Sequence, residues 1–127
     1  MFHTTRSASP LLAALTLCLA SLGAQAADAP AHMANGILVG HDGMALYTFD
    51  KDAADKSVCN GPCAKLWPPL AAAAGDQPMG GYGIVTRDDG SRQWSYKNKP
   101  LYTYQGDQKA GDRTGDNFKD VWHLVKE

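Results

Sequence analysis

The sequence predicts an all-β protein, a small antiparallel sheet or barrel-like domain built from two pseudo-repeated hairpin units with little helix. Three observations predict it. The phrase LYTFDKD, Leu46 to Asp52, returns as LYTYQGD, Leu101 to Asp107, at an offset of 55 positions, and Trp67 meets Trp122 at that same offset. Short runs rich in β-branched and aromatic residues are separated by Asp-Gly turns. Helix signals, by contrast, are weak.

In chain order, residues 1–26 read as a cleaved signal peptide: Arg6 precedes an apolar run from Leu11 to Leu22, which ends in Ala24-Gln25-Ala26, a small-x-small cleavage pattern. The run is shorter than the roughly 20 apolar residues that span a bilayer. Cys18 follows Leu15-Thr16-Leu17 inside that run rather than a lipobox, so lipid anchoring is not expected. The expected location is periplasmic or secreted. Residues 27–35, with His32, read as a flexible N-terminus, and 36–127 as one domain with half-units of about 36–70 and 83–125. Cleavage leaves 101 residues with 11 basic and 13 acidic side chains, a formal charge of −2. That balance gives no electrostatic case for nucleic acid or an anionic membrane as partner, and a monomer is expected.

Within the domain, Ile37 to Gly40 and Met44 to Phe49 flank His41-Asp42-Gly43, a first hairpin, since Asp-Gly tolerates the positive φ of tight turns. Gly83 to Arg87 and Arg92 to Tyr96 flank a second Asp-Gly turn. Lys97-Asn98-Lys99 turns the chain into a strand from Pro100 to Tyr104, and Pro100, lacking an N–H, fits only a strand start or an edge. Val121 to Val125 is the last strand. The best helical turn is Ala64 to Trp67, stopped by Pro68-Pro69; Ala71 to Ala74 form a second candidate, and Gly75 to Gly81 reads as the loop between the halves.

Alternation along a strand puts Tyr47 and Phe49 on one face and Leu46 and Thr48 on the other, and likewise pairs Tyr102 with Tyr104. Each unit thus presents a ladder of two aromatics. Asp52 and Asp107, just past the strand ends, are placed to accept hydrogen bonds from the following loop or from a tyrosine hydroxyl. Trp67 and Trp122 have the size to close a core on the ladders, so these two and Tyr47 and Tyr102 are expected to be buried. Cys59 and Cys63, an even pair in an exported domain, are expected to form a disulfide. A ring this small adds about 2 kcal/mol in the loop-entropy picture, so it fixes a local turn.

The pattern Tyr-x-aromatic-x-x-Asp, present twice, with Cys-x3-Cys-Ala-x-x-Trp-Pro-Pro after the first copy, resembles the bacterial secreted-repeat family, described as predicted lipoproteins with a Yx(FWY)xxD motif. RDDGSRQWSYKNKPLYTYQGDQKAGDRTGD is similar to that family's second unit, and the likeness runs from Gly36 to Val125. It implies Tyr47, Phe49, Asp52, Trp67, Tyr102, Tyr104, Asp107 and Trp122 as motif residues. It implies no activity.

The residues themselves exclude several chemistries. Covalent haem needs Cys-x2-Cys-His, whereas here the spacing is three and Ala64 stands in the histidine's place. A thioredoxin-like site needs Cys-x2-Cys heading a helix. Asp107, Asp112 and Asp116 lie in a Gly-rich loop without EF-hand spacing, and read as turn residues, as do Asp50, Asp52 and Asp55. No nucleophile elbow or phosphate-cradling loop is present, and the single Glu is Glu127, so no enzyme and no cofactor is expected. The expected role is an exported, non-catalytic binding or structural module for an envelope protein, peptide or glycan. The alternative is a periplasmic copper- or redox-handling protein in which reduced Cys59 and Cys63, with His41 or His123, hold copper.

Overall fold

A computed structural model describes residues 28–127; the expected signal peptide, its cleavage site and Cys18 lie outside the described residues. Among the described residues seven short strands carry the fold: β1 (Ala31–Ala34), β2 (Ile37–Gly40), β3 (Tyr47–Phe49), β4 (Tyr82–Thr86), β5 (Arg92–Tyr96), β6 (Lys99–Pro100) and β7 (Trp122–Leu124). One helical turn, α1 (Pro62–Leu66), and a 3-10 turn at Phe118–Asp120 complete it. All strand pairing is antiparallel, in the combinations β1–β2, β3–β7 and β4–β5–β6. Among the described residues no helix is long and apolar enough to cross a membrane.

Two corrections concern the first half. Residues 27–35, expected to be loose, include β1, which pairs along its whole length with β2, from Ala31 with Gly40 to Ala34 with Ile37. The cause is legible in Asn35-Gly36: both take positive φ, 51° and 84°, the requirement of a two-residue hairpin turn. His32 therefore sits on a strand, exposed. The second correction is that Met44 to Phe49 is not simply the partner of β2. Gly40 N–H bonds Met44 O at 3.0 Å and Leu46 N–H bonds Leu38 O at 3.0 Å, after which the chain peels away and β3 pairs with β7. Ala71 to Ala74 form no helix, because Ala72 N–H is drawn to Arg92 O at 3.0 Å.

The two units interlock. In the second half, Leu70 lies between β5 and Leu101: Trp94 N–H bonds Leu70 O at 2.8 Å and Leu70 N–H bonds Leu101 O at 2.9 Å. In the first half Val125, 55 positions on from Leu70, does the same, with Leu38 N–H to Val125 O at 2.8 Å and Val125 N–H to Leu46 O at 3.3 Å. So each unit lends its last extended segment to the other. Tyr47 and Tyr102 face one another at the centre, exchanging backbone bonds of 2.8 and 2.9 Å. Alternation then divides the core in two: Tyr47, Tyr102, Trp67 and Trp122 fill an aromatic cluster, while Leu46, Leu101, Leu38 and Trp94 fill a second.

Candidate functional site

The repeated residues meet across the centre of this exchange. The Tyr47 hydroxyl donates to Asp107 Oδ2 at 2.7 Å and the Tyr102 hydroxyl to Asp52 Oδ2 at 2.6 Å, so each tyrosine reaches the aspartate of the other unit. The other oxygen of each aspartate ties down its own loop: Asp52 Oδ1 accepts from Val58 N–H at 2.8 Å, and Asp107 Oδ1 from Thr114 N–H at 2.9 Å. Both roles expected of these carboxylates are thus filled at once. Tyr47, Tyr102, Trp67 and Trp122, expected inside, are buried; Phe49 and Tyr104 are half-buried at the edge of the cluster. The Trp67 and Trp122 rings stack at 3.9 Å and 3°, and Tyr104 stacks on Trp67 at 4.3 Å. Gly115 permits this packing, because a Cβ there would lie 2.7 Å from the Trp67 ring and 2.9 Å from Tyr104.

One end of the network carries residues that sequence reasoning missed. Arg87 is buried, and its Nη1 donates to Ser57 Oγ at 2.9 Å and to Gln93 Oε1 at 2.7 Å, while Nη2 donates to the carbonyl of Cys59. Ser57 in turn lies 2.6 Å from the Tyr102 hydroxyl, giving a directed chain from the guanidinium through Ser57 and Tyr102 to the Asp52 carboxylate. Among the described residues no cation bonds into the Asp107 end. No periodicity announces Arg87 or Ser57, since their pairing depends on which loop folds over which strand.

Burial pushes both tyrosines well above the ordinary phenol range, and the hydrogen bond each gives to its aspartate adds to this. They are held as neutral donors. Burial also raises Asp52 above its usual 3.8, against the opposing pull of the Tyr102 bond, the Val58 N–H and Arg87. A carboxylate whose folded pKa is raised binds its proton more tightly in the folded than in the unfolded protein, so its contribution to stability falls as pH rises above 3.8 through the folded value. Subtracting the stability of Asp52→Asn from that of the wild type across pH isolates this group. The difference is expected to decline with rising pH in that window and to be flat above it; a difference that grows with pH would show that the charged form is favoured by folding.

Cys59 and Cys63 form a disulfide, with Cys59 buried and Cys63 half-buried against the aromatic cluster. His41 and His123 are not brought to it. His41 is exposed in its turn, and His123 Nε2 lies 2.7 Å from Asp50 Oδ2, with Nδ1 3.1 Å from Asn117 Oδ1. No group of three His, Cys, Asp or Glu side chains placed to hold a metal occurs among the described residues. Asp112 accepts from the N–H groups of Gln108 and Lys109, and Asp116 from Leu124 N–H, as turn and loop residues do.

Open space lies to one side of the core. A cavity of about 360 Å³ is lined by Phe49, Asp52, Lys97 and Lys99 among others, and a second of about 310 Å³ by Tyr96, His123 and Lys126. They share Thr48, Asp50, Lys97 and Lys99 as a common wall, so they adjoin at the Lys97-Asn98 turn, and the two together are called the groove below. Of the motif residues, Phe49 and Asp52 reach it.

A family model described as a secreted repeat of unknown function matches the chain twice, over residues 32–71 and 83–126. The first match begins within β1, in agreement with the longer first unit seen in the fold. No curated protein and no solved structure matches the chain.

Proposed function

The chain belongs to this secreted-repeat family, and on that premise we propose that it is an exported, non-catalytic binding module of the cell envelope, cleaved near Ala26 and not lipid-anchored. The observation that carries the reading is the reciprocal Tyr–Asp exchange. It commits the tyrosine hydroxyls and carboxylates of the repeated motif to one another inside the protein, as fixed neutral donors and bonded acceptors. General acid–base chemistry needs a group that reaches a substrate proton, and the buried hydroxyls do not. The groove beside the core supports ligand contact: it is concave, partly aromatic and edged with polar groups, the usual make-up of a small-ligand site.

Holding copper through Cys59 and Cys63 would first require reduction of their disulfide and movement of His41 or His123 towards them, so no contact favours that alternative. The test is a titration of the isotopically labelled protein with a panel of neutral and charged oligosaccharides and short peptides, each recovered afterwards for mass analysis. Shifts confined to residues that line the groove, with the ligand recovered unchanged, are expected. Recovery of a chemically altered ligand would overturn the non-catalytic reading.

A further inference from the structure

We propose that the groove over the Lys97-Asn98 turn takes a carboxylate-bearing oligosaccharide, an inference that rests on the binding-module reading above. Lys97, Lys99 and Lys126 line it. Among the described residues none of the three makes an ion pair or donates a side-chain hydrogen bond, whereas Lys56 is held by Asp88 at 2.8 Å. The two carboxylates in the groove are already engaged, Asp50 by His123 at 2.7 Å and Asp52 by the Tyr102 hydroxyl at 2.6 Å. The groove therefore offers three lysines without ion-pair partners beside two hydrogen-bonded carboxylates, a formal excess of one positive charge on a chain whose formal charge is −1.

Their placement is fixed by the backbone. Lys97 and Asn98 both have positive φ, 49° and 67°, in the tight turn that joins β5 to β6. The Lys97 ammonium is 5.2 Å from the Tyr96 ring centroid, close enough for a cation–π contact that keeps it beside that ring. An ammonium suits an anion as a point charge rather than as a planar fork, which matches scattered carboxylates along a chain. Phe49 and Tyr96, both half-buried, supply aromatic surface to the two parts of the groove, and Thr48, Asn98 and Asp50 supply hydroxyl, amide and carboxylate groups. The aromatic rings, with the Thr48 hydroxyl and the Asn98 amide beside them, complement the C–H faces and hydroxyls of a sugar ring, and the lysines complement its carboxylates.

Comparison of the two units separates this surface from the core. At the offset of 55, the core residues Tyr47, Asp52 and Trp67 repeat as Tyr102, Asp107 and Trp122. Thr48 and Asp52, which reach the groove, repeat as well, but its lysines do not: Lys97 corresponds to Asp42, Lys99 to Met44 and Lys126 to Ala71, and Asp50 and His123 correspond to Gln105 and Pro68. The charged groove belongs to one side of the pseudo-symmetric protein alone.

The test titrates the full mature chain, at low salt, with trigalacturonate, neutral cellotriose, a triglutamate peptide and sulfate. Trigalacturonate is expected to shift Thr48, Tyr96 to Lys99 and Lys126, to bind more weakly as salt rises, and to lose at least tenfold in affinity in the triple variant Lys97→Gln, Lys99→Gln, Lys126→Gln. That variant is expected to melt with the wild type, because its side chains are on the rim. Equal binding of cellotriose would overturn the role of charge, and equal binding of triglutamate or sulfate would overturn the sugar; each leaves the binding-module reading standing. Failure of trigalacturonate to shift the groove overturns this proposal alone, whereas chemical alteration of the sugar overturns the module reading beneath it.

Discussion

Replacing Trp67 by alanine is expected to cost about 3 to 5 kcal/mol, the range for removing a buried large aromatic, and Trp122→Ala the same. Trp67 is 2% exposed, and its ring meets four others: Trp122 at 3.9 Å, Tyr104 at 4.3 Å, Tyr47 at 5.3 Å and Phe118 at 5.7 Å. Each indole comes from a different unit, so alanine at either position opens a hole on the seam between them. Tyr47 beside Trp67 is tied to Asp107, and Tyr102 beside Trp122 is tied to Asp52, so these two rings are poorly placed to collapse into it. Small domains have about 5 to 15 kcal/mol of stability in all, so either variant sits near the unfolding threshold. At about 4 to 8 °C per kcal/mol, the melting temperature should fall by more than 10 °C or so, and the exciton signal of the stacked indoles in circular dichroism should vanish. A melting curve within about 2 °C of the wild type would remove the tryptophan stack from the account of stability.

Much of this core was legible because a strand writes its faces into the sequence with period two. The repeated LYTF and LYTY phrases placed Tyr47 with Phe49 and Tyr102 with Tyr104, and the structure sends Leu46 and Leu101 to the opposite cluster. Turn chemistry was equally direct at Asp89-Gly90 and at Lys97-Asn98. Asn35-Gly36 carries the same signal, but His32 and the small residues around it read as a solvated terminus without their partner β2. Partnership is what a linear reading lacks. Nothing in the repeat says whether Tyr47 meets Asp52 of its own unit or Asp107 of the other, since both lie a short distance past a strand end. The choice is made by packing of the two ladders against each other. The groove was hidden for the same reason: Lys97 and Lys99 are turn residues in the sequence, and become neighbours of Lys126 only once β7 has crossed to the first unit.

That crossing leads to the second large expected effect. A duplicated domain with self-contained halves would survive separation of its units, whereas one with exchanged strands would not. Here Leu70 of the first unit closes the sheet of the second through its bonds to Trp94 and Leu101, and Val125 of the second closes the first through Leu38 and Leu46. Cutting the chain between Gln77 and Pro78, within the connecting loop, leaves residues 28–77 without β7 and residues 78–127 without the extended segment at Leu70. Each piece would expose one indole of the stack, one orphaned tyrosine hydroxyl and one unpaired carboxylate. An unmatched buried polar group costs roughly 1 to 3 kcal/mol, and chains of about 50 residues bury too little apolar surface to absorb that loss. Each fragment alone is therefore expected to be unfolded by circular dichroism and by amide exchange. Mixed together, the two should recover the native spectrum and the stacked-indole signal, because the cut falls outside every exchanged strand. A folded 28–77 fragment would show that the first unit completes its own sheet, and would overturn the strand exchange as the source of cooperativity between the halves.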